Sequence, residues 1–242
     1  MSPETVRILG VPVENVDERW VLQFVAERVD QRRTTQIATI NAEYVMRARH
    51  DPEFKCALED ADLRTPDGAG ILLAARRRRV RIPRRVGGSD LVWSISEQAG
   101  RLGHRIFLLG GAETVAARAA GILTQEYPSL VICGAHAGSP RHDDDLAQTT
   151  IIREARPDIL LVAFGAPDQD LWLARMKSVL NVPVVVGVGG SLDYVAGVAT
   201  RAPRWMQDAG LEWLFRLIRQ PWRWKRMMVL PAFALLAAAR SD

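Results

Sequence analysis

An aspartate stands between a proline and a glycine in the stretch LRTPDGAGIL, which covers residues 63–72. Pro fixes the first corner of a tight turn, Asp tolerates the second and Gly closes it, so Asp67 could serve the turn alone. A carboxylate directly after a strand could also accept a proton from a substrate hydroxyl, as a general base does. The tripeptide leaves both interpretations open, and the elements that position it must decide.

Five short apolar segments alternate with segments of helical periodicity, and we expect them to be strands. They are 35–40, 105–111, 130–134, 158–165 and 183–190, and a shorter strand-like stretch ends in LRT just before Asp67. Asn41 and the pair Asp51-Pro52 mark two helix starts, because Asn and Asp cap helices and Pro suits the first helical position. Strands that are apolar on both sides, with helices between them, indicate a doubly wound α/β fold. We therefore predict a mostly parallel sheet with helices on both faces.

Ligands of such folds bind at the carboxyl ends of the strands, where loops lead into helices. Small and polar residues follow the predicted strands there, namely Asn41, Asp67, Gly110, Gly111, 165–170 and 189–193. Glycine lets the backbone approach a diphosphate closely, and helix N-termini offer free N–H groups. These residues predict a nucleotide-type ligand. The GxGxxG and P-loop motifs are both missing, which disfavours the rival interpretation as an NAD-dependent oxidoreductase.

Composition is that of an ordinary globular protein, with 242 residues, 48% hydrophobic, 25% charged and a net charge of +4. Cys56 and Cys133 stand outside any metal-binding or disulfide pattern, which fits a reducing compartment. The N-terminus shows no secretory signal, so we expect a cytoplasmic protein. Basic residues concentrate at 76–85 and 216–226 without a recognised nucleic-acid module, so no nucleic-acid partner is expected.

Three Asp-x-Asp pairs are candidates for a divalent metal, at Asp60/Asp62, Asp143/Asp145 and Asp168/Asp170. The second and third pairs suit the first turn of a helix, where acidic side chains complement the helix dipole. We therefore predict no metal site and no cofactor.

The sequence of residues 211–242 indicates a C-terminal segment that differs from the predicted α/β core. It begins as an amphipathic helix, becomes rich in Trp and Arg, and ends in an apolar run at 227–239 that Pro231 interrupts. A spanning helix needs about 20 residues, so this run is too short, whereas Trp and Arg beside apolar residues suit a bilayer interface. We expect an α/β core at 1–210 and a membrane-associating helical appendage at 211–242. The alternative is a tail helix docked on its own domain or on another subunit.

Seven sequence blocks occur in one order along the chain. They are ATINAEYVMRARHDPEF, LRTPDGAGIL, RRVGGSDLV, IFLLGG, LLVAFGAPDQDLWLAR, VVVGVGGSLDYVAG and RAPRWMQDAGLEWLFRLIRQPWR. Their order and spacing resemble the WecG/TagA/CpsF family, glycosyltransferase family 26, from about residue 8 to residue 226. This resemblance implies a bacterial enzyme that makes surface polysaccharide without a metal and with inversion at the anomeric carbon. The implied donor is a UDP-sugar (N-acetylmannosamine, its uronic acid or glucose), and the implied acceptor is a saccharide linked to polyprenyl diphosphate.

The resemblance also implies roles for individual residues. The implied catalytic base is Asp67, with Thr39 and Asn41 in the substrate pocket. Matches to further family positions are Arg85, Gln169, Gly189, Gly190 and Asp193, the last three near the nucleotide. The sequence departs from the family pattern at Asp170, where Glu is usual, and at Gly138-Ser139-Pro140, where an aromatic residue is frequent.

The resemblance further implies a peripheral protein on the inner face of the cytoplasmic membrane, in contact with an anionic lipid surface, and leaves a homo-oligomer open. Because no metal is predicted, cationic side chains must stabilise the leaving diphosphate. The tail arginines Arg216, Arg219 and Arg223 are candidates for this role. Gly110 and Gly111 are further candidates for binding the nucleotide. The rival from another class is a membrane-associated regulator that binds a nucleotide sugar without turnover.

Overall fold

The structure is a computed structural model that describes residues 3–219, 221 and 224–239, except for the side chains at 208, 225 and 226. Its strands are β1 (Thr5–Ile8), β2 (Val11–Glu14), β3 (Thr35–Ile40), β4 (Leu63–Pro66), β5 (Arg105–Gly110), β6 (Val131–His136), β7 (Ile159–Ala163) and β8 (Val184–Gly187). Its helices are α1 (Glu18–Asp30), α2 (Ala42–Ala48), α3 (Pro52–Glu59), α4 (Ala69–Arg77), α5 (Gly88–Leu102), α6 (Val115–Glu126), α7 (Asp145–Ala155), α8 (Asp168–Leu180), α9 (Ser191–Val195), α10 (Arg204–Asp208), α11 (Glu212–Arg219), α12 (Trp224–Met227) and α13 (Val229–Ala239).

Six strands form one parallel sheet in the order β4-β3-β8-β7-β5-β6. This confirms the predicted mostly parallel sheet and its strands at 35–40, 105–111, 130–134, 158–165 and 183–190, apart from small shifts at their ends. The inner strands β5, β7 and β8 are covered on both faces, which is why their residues are apolar in succession rather than alternating.

Successive strand residues point to opposite faces and join different apolar clusters. Ile37 and Leu108 pack with α1, α5, α6 and α9. Their neighbours Ala38 and Phe107 pack on the opposite face, against α2, α3, α4 and α13 or against α7 and α8. Helices therefore cover both faces of the sheet, as the apolar strands predict.

An antiparallel hairpin of β1 and β2 precedes the sheet and was not predicted from the sequence. Its last residue, Glu14, is buried and forms an ion pair with Arg64 of β4, with Oε1 and Nη2 2.6 Å apart. The Glu14 carboxylate also accepts the backbone N–H of Arg64 at 2.6 Å. These bonds attach the hairpin beside β4, the edge strand of the sheet.

Two predicted helix caps are present after β3. The Asn41 side chain accepts the N–H of Tyr44 at 3.1 Å and so begins α2. The Asp51 side chain accepts the N–H of Phe54 at 3.0 Å, with Pro52 as the first residue of α3. The caps fix where the loop after β3 turns back over the sheet, and hence where Asn41 lies.

The end of the chain packs against the core. Helix α13 lies on α2 and α4, and its Phe233 and Ala237 are buried in the cluster that those helices form. A Cβ at Gly70 of α4 would be 3.3 Å from the ring of Phe233, so this glycine gives the ring its space. Within the ranges that the structure describes, every helix falls short of the length and apolar character that crossing a membrane requires. The division at residue 210 and the membrane association of 211–242 stay predictions.

Replacing Phe233 by Ala should loosen α13 from the core. Loss of a buried Phe side chain costs about 3–5 kcal/mol, and a terminal helix can undock without global unfolding. Hydrogen exchange of the amides at 229–239 should therefore become markedly faster. Leu235→Ala is the matched control on the same helix, because Leu235 is 72% exposed and should leave exchange unchanged. Equal protection in both variants would contradict the docking of Phe233.

Candidate active site

A cavity of about 490 Å³ lies at the carboxyl ends of the sheet strands, a volume typical of small-molecule sites. It is bounded by the loops after β3, β4, β7 and β8, by the N-terminus of α5, and by α4, α11 and α13. The structure brings eight of the residues singled out in the sequence to its wall: Thr39, Asn41, Asp67, Arg85, Gly189, Gly190, Asp193 and Arg216.

Asp67 lies in the wall where β4 leads into α4. Its N–H donates to the carbonyl of Ile40 at 2.8 Å, which continues the pairing of β4 with β3. Pro66 is still part of β4, and the chain bends at Gly68, whose φ is +90°. The carboxylate faces the cavity, and a Cβ at Gly87 would collide with its Oδ1. Glycine at position 87 therefore lets the start of α5 approach the carboxylate. Asp67 therefore lies at the end of β4 and in the cavity wall.

Burial raises the pKa of Asp67 to about 6. The positive charges of Arg85 and Arg216 oppose that rise, and the negative charges of Glu212 and Asp90 add to it. A carboxylate with this pKa is mostly ionised at neutral pH and is more basic than an exposed aspartate. Both properties suit a general base.

Thr39 and Asn41 stand at the end of β3 in the same wall. The Thr39 hydroxyl donates to the carbonyl of Gly187 in the neighbouring strand β8 at 3.3 Å. Because the Asn41 carbonyl oxygen is used in the helix cap, its NH₂ group remains available to donate to a ligand.

Gln169 is fully buried and lies behind the cavity wall rather than in it. Its Nε2 donates to the hydroxyl of Tyr44 at 2.9 Å, and its Oε1 accepts the N–H of Gly189 at 2.8 Å. The side chain thus joins the start of α2 to the loop after β8. Gln169 thus holds Gly189 from behind the cavity wall, and its place in the catalytic set, which the family resemblance implied, stays a prediction.

Asp170 is wholly buried, and neither carboxylate oxygen has a hydrogen-bond partner of ordinary geometry in the described residues. Asp168 and Asp170 both lie in the first turn of α8, as the sequence predicted, but Asp168 is exposed whereas Asp170 is buried. Burial raises the pKa of Asp170 to about 7, against the opposing influence of Tyr44 and Gln169. Its carboxyl is therefore substantially protonated near neutral pH.

An ion network, which was not predicted from the sequence, attaches the C-terminal helices to the start of α5. Arg85 is 3.2 Å from Asp90 and 3.6 Å from Glu212, and it donates to the Gln207 side chain at 2.9 Å. Arg201 is 2.7 Å from Asp90 and 3.7 Å from Glu212. Two arginines and two carboxylates thus hold α10 and α11 against the cavity. Only Arg85 of these had been singled out, because the other contacts join residues far apart in the sequence.

The three tail arginines differ in position. Arg216 lines the cavity with its guanidinium 5.1 Å from the ring centre of Tyr194, and its Nε is buried without a hydrogen-bond partner in the described part of the chain. Arg219 is exposed, stacks 5.6 Å from the ring centre of Phe215 and does not line the cavity. Arg223 lies outside the described residues. Of the two described arginines, Arg216 is the one placed to meet an anionic ligand.

The predicted glycines also separate into two groups. Gly189 and Gly190 line the cavity, and Gly189 has a φ of +59°. Gly110 and Gly111 do not line it. A Cβ at Gly110 would be 2.6 Å from the carbonyl carbon of Ala163, and its φ is +114°. Close packing of β5 on β7 therefore accounts for this glycine without a ligand.

The segment that departs from the family pattern, 138–140, is also remote from the cavity lining. The side chain of Gln148 holds it by accepting the N–H of Ser139 at 2.8 Å and donating to its carbonyl at 2.7 Å.

Asp170→Asn should stabilise the protein at alkaline pH. The pKa of Asp170 rises from 3.8, its ordinary value, to about 7 on folding. The free energy of unfolding therefore decreases as pH rises from about 4 to about 7, because the folded protein holds a proton that the unfolded chain has released. Asn stays neutral, and we expect its midpoint of thermal unfolding to exceed that of the unmodified protein by at least about 3 °C at about pH 8. Asp168→Asn, in the same helical turn but exposed, should show no such gain. An equal loss of stability in Asp170→Asn at acidic and alkaline pH would contradict the neutral buried carboxyl.

No cluster of three or more His, Cys, Asp or Glu side chains suited to a metal ion occurs among the described residues.

Comparison with known proteins matches residues 6–241 to the glycosyl transferase WecG/TagA/CpsF family. The N-acetylglucosaminyldiphosphoundecaprenol N-acetyl-beta-D-mannosaminyltransferase of Bacillus subtilis (strain 168) is 32% identical over 236 residues, which cover 97% of this chain and 91% of that enzyme. The enzyme of the same name from Bacillus spizizenii (strain ATCC 23059 / NRRL B-14472 / W23) is 30% identical over 205 residues, which cover 85% and 79%. The family match includes the loops after β3, β4 and β8 and the C-terminal helices that line the cavity with Asp67. The chain therefore belongs to the WecG/TagA/CpsF family of glycosyltransferases.

Proposed function

We propose that this glycosyltransferase moves a sugar of the N-acetylmannosamine type from a UDP donor to a saccharide carried on polyprenyl diphosphate, with inversion and without a metal. One observation carries the proposal: the Asp67 carboxylate, with its pKa raised to about 6, shares one cavity with Arg216 and with the Gly189–Gly190 loop. A base, a cation and a glycine loop in one cavity suit a single displacement at a nucleotide sugar. The names of the two Bacillus relatives favour N-acetylmannosamine over its uronic acid or glucose.

Asp67 takes the proton in the proposed reaction. The acceptor hydroxyl loses its proton to the carboxylate as its oxygen attacks the anomeric carbon from the side opposite the nucleotide. The new C–O bond forms while the bond from the anomeric carbon to the diphosphate breaks, so one displacement inverts the centre. No enzyme nucleophile is required, and general-base help of this kind is worth about 10²–10⁴-fold in rate.

Negative charge gathers on the leaving diphosphate, and Arg216 is the cation placed to meet it. The buried Nε of Arg216 has no other hydrogen-bond partner in the described residues. Gly87, Gly88 and Ser89 line the cavity at the start of the 15-residue helix α5, where N–H groups and the helix dipole favour an anion. Arg85 adds positive charge beside them. These groups are preorganised, which is how an enzyme stabilises a leaving group without solvent reorganisation.

The tail has a place in this proposal as part of the site. Glu212, Trp213 and Arg216 of α11 line the cavity, so α11 completes a wall that the core leaves open. A lipid-linked acceptor requires the enzyme to work at a membrane, and we propose that it does so peripherally, on the inner face of the cytoplasmic membrane.

The function is tested by measuring UDP release and sugar transfer. The donors are UDP-N-acetylmannosamine and UDP-glucose, and the acceptor is N-acetylglucosamine linked through diphosphate to a prenyl chain. We expect transfer from the first donor, an inverted product, and unchanged activity in EDTA. Loss of activity in EDTA that Mg²⁺ or Mn²⁺ restores would contradict metal independence. Donor binding without UDP release from any donor would favour the regulator that binds without turnover.

Asp67→Asn should keep donor binding and lower transfer by at least about 100-fold, because Asn suits the turn but cannot take a proton. In the unmodified enzyme, kcat/KM should fall as pH drops through about 6, since protonation of Asp67 removes the base. Asp168→Asn is the control for the loss of one exposed carboxylate.

A second variant, Glu212→Gln, tests whether the acidic limb of the pH profile of kcat/KM follows the pKa of Asp67. The charge of Glu212 raises the pKa of Asp67, so its removal should move the acidic limb of the profile to lower pH. Near-normal transfer by Asp67→Asn, or an acidic limb that stays in place in Glu212→Gln, would count against Asp67 as the base.

A further inference from the structure

Five exposed arginines cluster at the end of α4 and in the loop that follows it. They are Arg76, Arg77, Arg79, Arg81 and Arg84. None of the five side chains forms an ion pair or hydrogen bond within the described part of the chain. Arg85, the next residue, is instead paired with both Asp90 and Glu212. Unpaired like charges repel one another and destabilise the compact state, so this cluster is suited to an external anion.

Apolar surface adjoins the arginines. Leu73 is 56% exposed and lies one helical turn before Arg77 on α4. Helix α13, packed on α4, carries no charged residue over 229–239, and its Leu235 is 72% exposed. Leu73 and Arg77 share one cavity wall with Leu230 of α13. An exposed apolar side chain and an exposed basic one thus lie one turn apart on α4, next to the uncharged helix α13.

We propose that the exposed arginines of 76–84, with the outward side of α4 and α13, form a docking surface for an anionic phospholipid bilayer. This surface, called here the Arg76–Arg84 surface, is formed by α4, the loop after it and α13, and it differs from the Trp- and Arg-rich segment at 213–226. Guanidinium groups bind lipid phosphates through paired hydrogen bonds, while exposed leucines enter the boundary of the acyl chains. A nucleic acid would use the same arginines but would leave Leu235 in water.

Docking through this surface has a consequence for the site. Because Leu73 and Arg77 line the cavity, an edge of the cavity lies beside the proposed bilayer contact. A diphosphate carried on a lipid would then be presented beside the cavity rather than across open solvent. The inference rests on the proposed lipid-linked acceptor, but vesicle binding can be measured without any transfer.

The test compares two variants of equal charge in the full chain. The first combines Arg76→Gln, Arg79→Gln, Arg81→Gln and Arg84→Gln, and it leaves the cavity residue Arg77 in place. The control combines Arg19→Gln, Arg33→Gln, Arg118→Gln and Arg153→Gln, which remove four exposed arginines elsewhere on the molecule. Both lose four positive charges, so a difference between them reports position rather than net charge.

Binding is measured by flotation with vesicles of phosphatidylcholine, alone or mixed in equal parts with phosphatidylglycerol. A basic residue near an anionic surface contributes about fivefold in partition, so the first variant should bind the mixed vesicles at least about 20-fold more weakly. The control should bind like the unmodified protein. Binding of the unmodified protein should weaken as salt rises and should be slight on phosphatidylcholine alone.

Leu235→Gln tests the apolar part of the surface, with Leu146→Gln as its control, since Leu146 is 81% exposed on α7. We expect Leu235→Gln to lower vesicle binding at every salt concentration and Leu146→Gln to leave it unchanged. Equal vesicle binding by the two four-arginine variants would overturn the proposal, as would binding of the unmodified protein to a single-stranded oligonucleotide but not to vesicles. Absent transfer with vesicle binding intact would instead contradict the proposed function alone.

Discussion

The site depends on one buried side chain, the amide of Gln169. It joins three loops that leave adjacent strands, because it follows β7 in the chain, donates to Tyr44 after β3 and accepts from Gly189 after β8. A Cβ at Gly187 would be 2.6 Å from Gln169 Nε2, so the glycine and the glutamine form one arrangement. A buried amide left unpaired is costly, so these bonds fix the loops in one geometry. The cavity wall is thereby set before any ligand arrives.

Electrostatic balance in the cavity sets the pKa of Asp67, the proposed base, beside two arginines. Arg85 and Arg216 alone would lower the pKa of Asp67 and make it a poor proton acceptor. Burial, Glu212 and Asp90 act in the opposite direction and bring the pKa to about 6. The same two acids also hold Arg85 in position through ion pairs. They thus act on both the proposed base and the arginine beside it.

Features that depend on local sequence pattern could be predicted from the sequence. Features that depend on contacts between distant residues are known only from the structure. Strand positions followed from apolar runs, and the Asn41 cap followed from a residue type at a helix start. Eight of the predicted ligand residues share the cavity because parallel strands end at one edge. The burial of Asp170 and the pairing of Arg201 with Asp90 could not be inferred, because each depends on helices brought together from far apart. The close contact of Gly110 with Ala163 could not be inferred for a related reason, since it joins two strands that are far apart in the sequence.

The C-terminal helices pack against the other helices and also line the cavity. The ring of Phe233 on α13 packs against Gly70 of α4. Arg216 of α11 lines the cavity, with its guanidinium close to the ring of Tyr194 on α9. Helix α4 begins beside Asp67, packs on α13 and ends in the exposed arginines of 76–84. The arginines and α13 thus both adjoin α4, the short helix that follows Asp67. If a bilayer engages that face, as proposed above, α4 would connect the contact to the loop that carries Asp67. Such a coupling would favour acceptors that are presented by the membrane over free saccharides, without requiring a separate recognition domain.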